Sequence, residues 1–505
     1  MKRFLNLLVV LLIFLVFSCS SSKNPEKDTD ILPDTDTDSQ DSESIADNDT
    51  DSKEDSDFID DSDETSDHDK TDDEIFEETE PINGYARCYD KIPAGPYEGF
   101  FADPKLESQI KQILGYEADY ELKEEDLEKI TEINLSTKDL RGIEKLVNLE
   151  YAKFNDKGGG GNIYDFTPLS NLEKLKKVRI YFRRPVEISP DEHVVNMTCL
   201  DGSFSLLMTL ETLEIEETQL KDISPIEQLV NLKTLDLGIN QIEFLPENLG
   251  NLQKLEFLSF VHNRVKDVTP LKSLTNLKEL FFHYNYVEDI SPIKDLVGLT
   301  RLGCDGNNIK DISAITNLVN LTQLLSDQNQ IERIPQEIIN LKKLQTLELD
   351  FNNISELPDL KGLDSLYSIS ISHNDLSDED FVKLDGLENV AFIYFSCNKK
   401  ITKVPIMKNL KSLKELYINY NNITDLSGFA DNESFPALKR LEVGSNKIDN
   451  AEAFRNRKGL TSLWVDKNCI KDFSPLEELK ARGTYVGGMN EQLESCEDTT
   501  TLGDG

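Results

Sequence analysis

The chain has 505 residues, 38% of them hydrophobic, enough for a large core but spread unevenly along the sequence. Ninety-five acidic residues against 54 basic ones leave a formal net charge of −41. A polyanion of this size repels nucleic acid and anionic lipid headgroups, so the expected partner is a protein or a neutral glycan.

Lys2 and Arg3 open the chain, and an apolar run over residues 4–17 follows. The run is too short to span a bilayer and has the size of a signal-peptide core. It ends Val16-Phe17-Ser18-Cys19, then Ser20-Ser21-Ser22. This junction resembles the bacterial lipoprotein signal, in which a small residue precedes the cysteine and cleavage falls between them. The resemblance makes residues 1–18 a removable signal peptide and Cys19 the lipidated first residue of the mature chain. Phe17 is larger than the pattern's usual residue. Ser20, where an aspartate would retain the protein at an inner membrane, implies onward sorting to an outer membrane and the cell surface.

Residues 19–85 are expected to form a tether. Between residues 23 and 81, Asp, Glu, Ser and Thr dominate and apolar residues are rare. Such a segment buries too little surface to offset its chain entropy and is expected to be disordered. About 60 flexible residues average roughly 40 Å end to end, and like charges stretch them further. The recurring DxDxD also suggests calcium loops, but these require a glycine for their tight turn, and none occurs before Gly84.

Residues 86–129 read as a small N-terminal helical cap. Asp103 suits an N-cap, Pro104 the first helical position, and Gly115 the stop, with Leu106, Ile110, Ile113 and Leu114 on one face. A second piece near 123–130 carries Leu127 and Ile130.

From 130 to 480 the phrase LxxLxLxxNxI recurs about fifteen times. Clear copies begin at Leu232, Leu255, Leu277, Leu299, Leu321, Leu344, Leu366, Val390, Leu413, Leu438 and Leu460. Leu210 starts another, with Thr218 in the Asn position, and weaker copies begin at Ile130, Leu149 and Leu175. Alternate side chains of LxL point the same way, so each copy is a short strand with one buried face. Repeats of this kind cannot bury that face alone and must stack into a parallel sheet. The Asn column, from Asn240 to Asn468, is placed to satisfy turn backbone groups that would otherwise be buried unpaired. Return segments such as Asp222-Ile223-Ser224-Pro225-Ile226 carry proline, which favours short 3₁₀ turns over helices. The fold expected is an α/β solenoid with a concave parallel sheet, a short 3₁₀ or irregular convex side, and a C-terminal cap and tail over 481–505.

The phrase, its spacing and the capping segment Phe101-Ala102-Asp103-Pro104 resemble the internalin-type leucine-rich repeats of bacterial surface proteins, over residues 101–492. That resemblance implies a curved binding solenoid. It departs at the anchor: nothing resembles a C-terminal sorting signal, and Cys19 takes its place. The Gly158-Gly159-Gly160-Gly161 loop and an insertion between Tyr181 and Met208 interrupt the pattern.

No catalytic motif is present, and the four-glycine loop lacks the Lys-Ser/Thr that cradles phosphate. The chain is read as a non-enzyme with no cofactor and no metal. His262 and His283 would approach on neighbouring strands, but they read as binding-face residues rather than zinc ligands. Cys304 occupies a leucine slot and reads as a buried hydrophobe. Cys469 and Cys496 are the candidate disulfide closing the last repeat. Cys88 with Cys199 is a weaker pair, and Cys397 has no evident partner.

Residues between and just after the leucines face away from the core. Two aromatic groups stand there: Phe257, His262, Phe281, His283 and Tyr284, and then Phe351, Phe392, Tyr394, Tyr417, Tyr420 and Trp464, the only tryptophan. They are the candidate partner-binding residues, although aromatics also suit strands on propensity alone. Asp305, Asp327 and Asp350 share one column, read as a solvated acidic stripe or as a site for a basic partner or a cation. The leading function is lipid-anchored surface adhesion or recognition. The alternative is a periplasmic scaffold for envelope assembly.

Overall fold

A computed structural model describes residues 95–496 except 156–162, 164, 182–198, 201 and 432, together with the backbone of 76–78 and 91–93. The signal peptide, Cys19, Cys88, the four-glycine loop, most of the 181–208 insertion and nearly all of the tether lie outside the described residues. Strands β1 (Phe76–Glu78) and β2 (Lys91–Pro93) pair antiparallel, with Phe76 opposite Pro93.

The remaining sixteen described strands, β3 (Glu132–Leu135) to β18 (Tyr485–Gly487), form one parallel sheet whose order follows the sequence. One more strand is present than the repeat phrase suggests: β18 lies in the segment expected to be only a cap. Register is set by the leucine column. Leu280, Leu302, Leu324, Leu347, Ile369, Ile393, Leu416 and Leu441 stand opposite one another in turn. All eight are fully buried. A one-residue slip would turn this whole row outward, at roughly 1.5–3 kcal/mol per aliphatic side chain.

The Asn column works as the sequence suggests, and more economically. Asn307 accepts the Val287 N–H on Oδ1 at 3.0 Å and donates Nδ2 to the Phe282, Cys304 and Asp305 carbonyls at 3.0–3.1 Å. The same four-bond pattern recurs at Asn329, Asn352 and Asn374. A second Asn ladder, unseen in the sequence reading, runs where the chain enters the strands. Asn231, Asn276 and Asn320 each donate Nδ2 to a carbonyl of the preceding repeat at 2.7–2.9 Å.

Most convex returns are short 3₁₀ turns, several with proline in the first turn. Aspartate starts them: Asp267, Asp289 and Asp311 each accept the N–H two residues on at 2.7 Å. Regular helices occur at both ends and in two interior returns. Helix α1 (Pro104–Leu114) is capped by Asp103 and stopped by Gly115 at φ 74°, and α2 (Glu124–Leu127) follows. Helix α3 (Asp378–Lys383) forms because Ser377 and Asp380 make a reciprocal capping box, and α4 (Ser427–Ala430) and α5 (Ser474–Ala481) complete the set.

Both sheet ends are closed by glutamine. Gln109 of α1 donates to the Ser136 carbonyl at 2.9 Å and accepts its N–H at 2.8 Å, standing in for a missing strand beside β3. At the other end Gln492 accepts the Ile470 N–H at 3.2 Å and donates to Val465 and Gly488 carbonyls at 2.8 Å, extending the Asn ladder by one rung. Cys469 and Cys496 are bonded there, with Cα atoms 5.5 Å apart. Cys304 is free and buried, as its leucine slot requires. Cys199 and Cys397 each take part in a disulfide, so Cys397, for which the sequence offered no evident partner, has one. Among the described residues no helix is long and apolar enough to cross a membrane.

Candidate functional site on the concave sheet face

Three outward columns cover the concave face, and each is fixed by strand register. The first aromatic group is brought together by β8 (Phe257–Ser259) and β9 (Glu279–Phe281). Phe257 and Phe281 have ring centroids 5.8 Å apart, Phe281 and His283 5.9 Å, and His262 stacks on Tyr284 at 4.5 Å and 8°. The group lies flat because two glycines of the next repeat leave room beneath it. A Cβ at Gly303 would stand 2.3 Å from His283 Nε2 and 2.8 Å from Phe281 Cδ1. One at Gly306 would stand 2.5 Å from Tyr284 Cδ1. Phe281 is consequently 3% exposed and His283 9%, so neither projects freely as an outward strand residue is expected to. His262 and Tyr284 form the accessible edge of this group.

No group of three metal-ligating side chains occurs among the described residues. His283 Nδ1 lies 2.8 Å from Asp305 Oδ2. Burial and the neighbouring His283 hold the His262 imidazole below its ordinary value, so it is neutral near pH 7.

The second group divides into smaller sets. Tyr394 and Tyr417, on β14 (Phe392–Tyr394) and β15 (Glu415–Tyr417), stack at 4.6 Å and 9°, as their shared slot predicts. The Tyr417 hydroxyl donates to Glu415 at 2.5 Å, and burial with that carboxylate pushes its ionisation up. Phe392 sits edge-on to Tyr367, and Trp464 is tilted against Tyr485 at 5.4 Å. Phe351 stacks on His373 at 3.8 Å. His373 was not among the expected binding residues. Burial pushes its imidazole down to about 4, so it presents a neutral ring.

The signal for His373 is its slot. The residue just before each column Asn is left-handed: Ile239, His262, Tyr284, Gln328, Phe351, His373, Cys397, Tyr420, Ser445 and Lys467 have φ between 49° and 57°. In this row only Gly306 takes the conformation without steric cost. Five of these slots hold a ring, where asparagine or glycine would fit with less strain.

Between the aromatic sets runs a carboxylate ladder. Asp305 Oδ1 accepts the Asp327 N–H at 2.9 Å, Asp327 Oδ1 the Asp350 N–H at 2.7 Å, and Asp350 Oδ1 the Ser372 N–H at 2.5 Å. Glu348, one column over, was also missed in the sequence. Its carboxylate has no hydrogen-bond or ion-pair partner among the described residues. Burial and the fields of Asp305 and Asp350 push it up to about 7, while burial holds Asp350 at about 6 and lifts Asp327 well above the ordinary carboxylate range. The ladder is therefore half-buried rather than the solvated stripe expected.

A family profile of the leucine-rich repeat region matches residues 299–477, and one of two-copy leucine-rich repeats matches 209–251 and 253–295. No curated protein matches the sequence significantly. Among solved structures, the chain is similar to an internalin, InlF, of Listeria monocytogenes, at 26% identity and a TM-score of 0.50, covering 77% of this chain and 95% of that one. It is similar in fold to a leucine-rich-repeat protein of Leptospira interrogans, at 23% identity and a TM-score of 0.59, covering 72% and 97%. The functional domain of InlJ from Listeria monocytogenes, which includes a cysteine ladder, shares the fold at 20% identity and a TM-score of 0.54, covering 76% and 78%.

Proposed function

The chain is a leucine-rich-repeat protein of internalin type, and from that premise we propose that it is a surface recognition module that binds a protein or glycan partner through the concave face. The observation that carries this reading is the left-handed row. Rings at His262, Tyr284, Phe351, His373 and Tyr420 occupy slots that disfavour them, each costing about 1 kcal/mol, and none fills the core. Strain retained at an accessible edge points to use rather than packing. Tyr394, Tyr417 and Trp464 supply further half-buried rings of the kind that anchor protein interfaces.

In this reading lipid on Cys19 holds the protein at a bacterial envelope and residues 19–85 space the solenoid from the membrane. Sorting to an outer membrane follows from the signal resemblance alone. Catalysis has no part in it.

The test begins with partner capture from envelope extract by the soluble chain. Tyr417→Ala and Trp464→Ala should keep the melting temperature within a few degrees and weaken the captured partner's binding by roughly tenfold or more. Full binding by both folded variants moves the site off this part of the face. In cells, Cys19→Ser should release the protein from the membrane fraction; retention with lipid label would sink the anchor.

A further inference from the structure

We propose that the centre of the concave face docks a basic protein segment, seating a guanidinium or ammonium group between Glu348, Asp350 and the ring of Tyr394. The proposal rests on the concave face being the binding face and names the chemistry of what it binds.

The chain itself displays this chemistry twice. The Arg301 guanidinium lies 4.9 Å over the Phe281 ring while its Nη1 meets Glu279 at 2.9 Å. The Arg440 guanidinium lies 5.6 Å over the Tyr417 ring while its Nη2 meets Glu442 at 2.5 Å. In both places a planar cation from a neighbouring strand is held between a ring face and a carboxylate. Between them the same elements recur without a cation. Tyr394 offers the ring, and Glu348, Asp350 and Asp327 offer the carboxylates. Strand β13 (Ser368–Ser370) separates ring from acid with only Ser370 and Ser372, which leaves a low floor between taller walls. From Gln323 to Tyr420 the outward strand positions carry no lysine or arginine.

Charge decides between occupants. A phosphate or an anionic glycan would enter a field set by these carboxylates and by a chain of net charge −41. A neutral sugar would donate hydroxyls to Glu348 but leave the neighbouring negative charges uncompensated. A cation pairs with Glu348 and offsets the burial and mutual repulsion that hold these carboxyls toward their protonated forms. Arginine fits better than lysine because its planar fork stacks on Tyr394 while bonding the acids.

The experiment titrates the full chain with a dye-labelled hexapeptide of arginine and lysine, against a glutamine counterpart, by fluorescence anisotropy. Acidic tether residues also attract the probe, so its lysines are coupled to carboxylates with a zero-length carbodiimide and the sites mapped by mass spectrometry. Coupling at Glu348, Asp327 or Asp350 is expected, falling about tenfold in Tyr394→Ala, and in Glu348→Gln/Asp350→Asn falling likewise at the retained Asp327. The Glu348 carboxylate makes no hydrogen bond among the described residues, so Glu348→Gln alone serves if the double variant fails to fold. Equal binding of the glutamine peptide, coupling confined to the tether, or unchanged coupling in the variants overturns the proposal. If the basic probe behaves in any of those ways while Tyr417→Ala still loses the captured partner, the binding face stands and only its charge preference falls.

Discussion

Asn329→Ala isolates one rung of the internal ladder, and the structure bounds its cost. Asn329 makes four bonds to backbone: it accepts from Ile309 N–H at 3.1 Å and donates to the Cys304, Ser326 and Asp327 carbonyls at 3.0–3.3 Å. The three carbonyls do not depend on it. Cys304 O also accepts from Asn307, Ser326 O from Asn352, and Asp327 O from the Gly306 N–H. Only the Ile309 N–H, beside a fully buried side chain, is left unpaired. One orphaned buried donor costs about 1–3 kcal/mol, so the loss should be near 2 kcal/mol rather than the sum of four bonds. Asn329→Asp should be worse. Its carboxylate still accepts from Ile309 but turns a charge toward three carbonyls at a position 8% exposed, a cost of about 3–5 kcal/mol. Urea midpoints give the ranking, and amide hydrogen exchange at Ile309 gives the mechanism. Unchanged protection of that amide in Asn329→Ala, or a milder Asp variant, would refute the argument.

The carboxylate ladder sets a pH dependence. Glu348 rises from 4.5 to about 7 and Asp350 from 3.8 to about 6, so the native state holds protons that the unfolded chain releases. Their contribution to stability therefore falls as pH rises from about 4 through about 7, and stays low above it. Glu348→Gln should gain ~1–2 kcal/mol over the parent at pH 8 after screening on the open face, and nothing near pH 4; an equal gain at both pH values, by denaturant midpoint, rejects the assignment. Cys496→Ser opens a bridge between residues 27 apart and should cost ~3 kcal/mol, read as lost exchange protection in β17 (Ser462–Trp464) and β18 with β8 and β9 unchanged. Uniform loss along the sheet would contradict a local clamp.

Repetition is what made the solenoid readable. Leu280 and its neighbours recur because each strand faces the same core, and Asn307 recurs because each turn presents the same orphaned groups. A single position then inherits evidence from every copy. Features that occur once carry no such support. The glutamines closing the sheet, Gln109 and Gln492, have the right amide but stand in no repeat, and β18 lacks the Asn that marks the repeats from Asn240 to Asn468. Helix α3 was hidden because its capping box interrupts a run of 3₁₀ returns. On the concave face the sequence showed which residues point outward, but not how they lie. Phe281 and His283 are covered because Gly303 in the following repeat lets them recline, a relation between two repeats that neither states alone. Glu348 looked like any polar strand residue until its neighbours Asp305 and Asp350 were beside it.

The left-handed row offers a further test of whether its rings are held for packing or for use. Left-handed geometry costs a non-glycine residue about 1–2 kcal/mol, and least for asparagine, whose short polar side chain bonds locally. Ring stacking returns about 0.5–1.5 kcal/mol. His262 with Tyr284 and Phe351 with His373 recover that much from each other at 4.5 and 3.8 Å. Tyr420, at φ 57°, has no ring partner among the described residues, so its strain is the least offset in the row. Tyr420→Asn should therefore stabilise the fold by ~0.5–1 kcal/mol, whereas Tyr284→Asn, which loses its stack on His262, should be neutral or destabilising. Thermal midpoints of the two variants decide it. A Tyr420→Asn variant that is less stable than the parent would show that the ring earns its place by packing, and would remove Tyr420 from the binding face. A more stable variant with weakened partner binding would mean that stability is given up there for recognition.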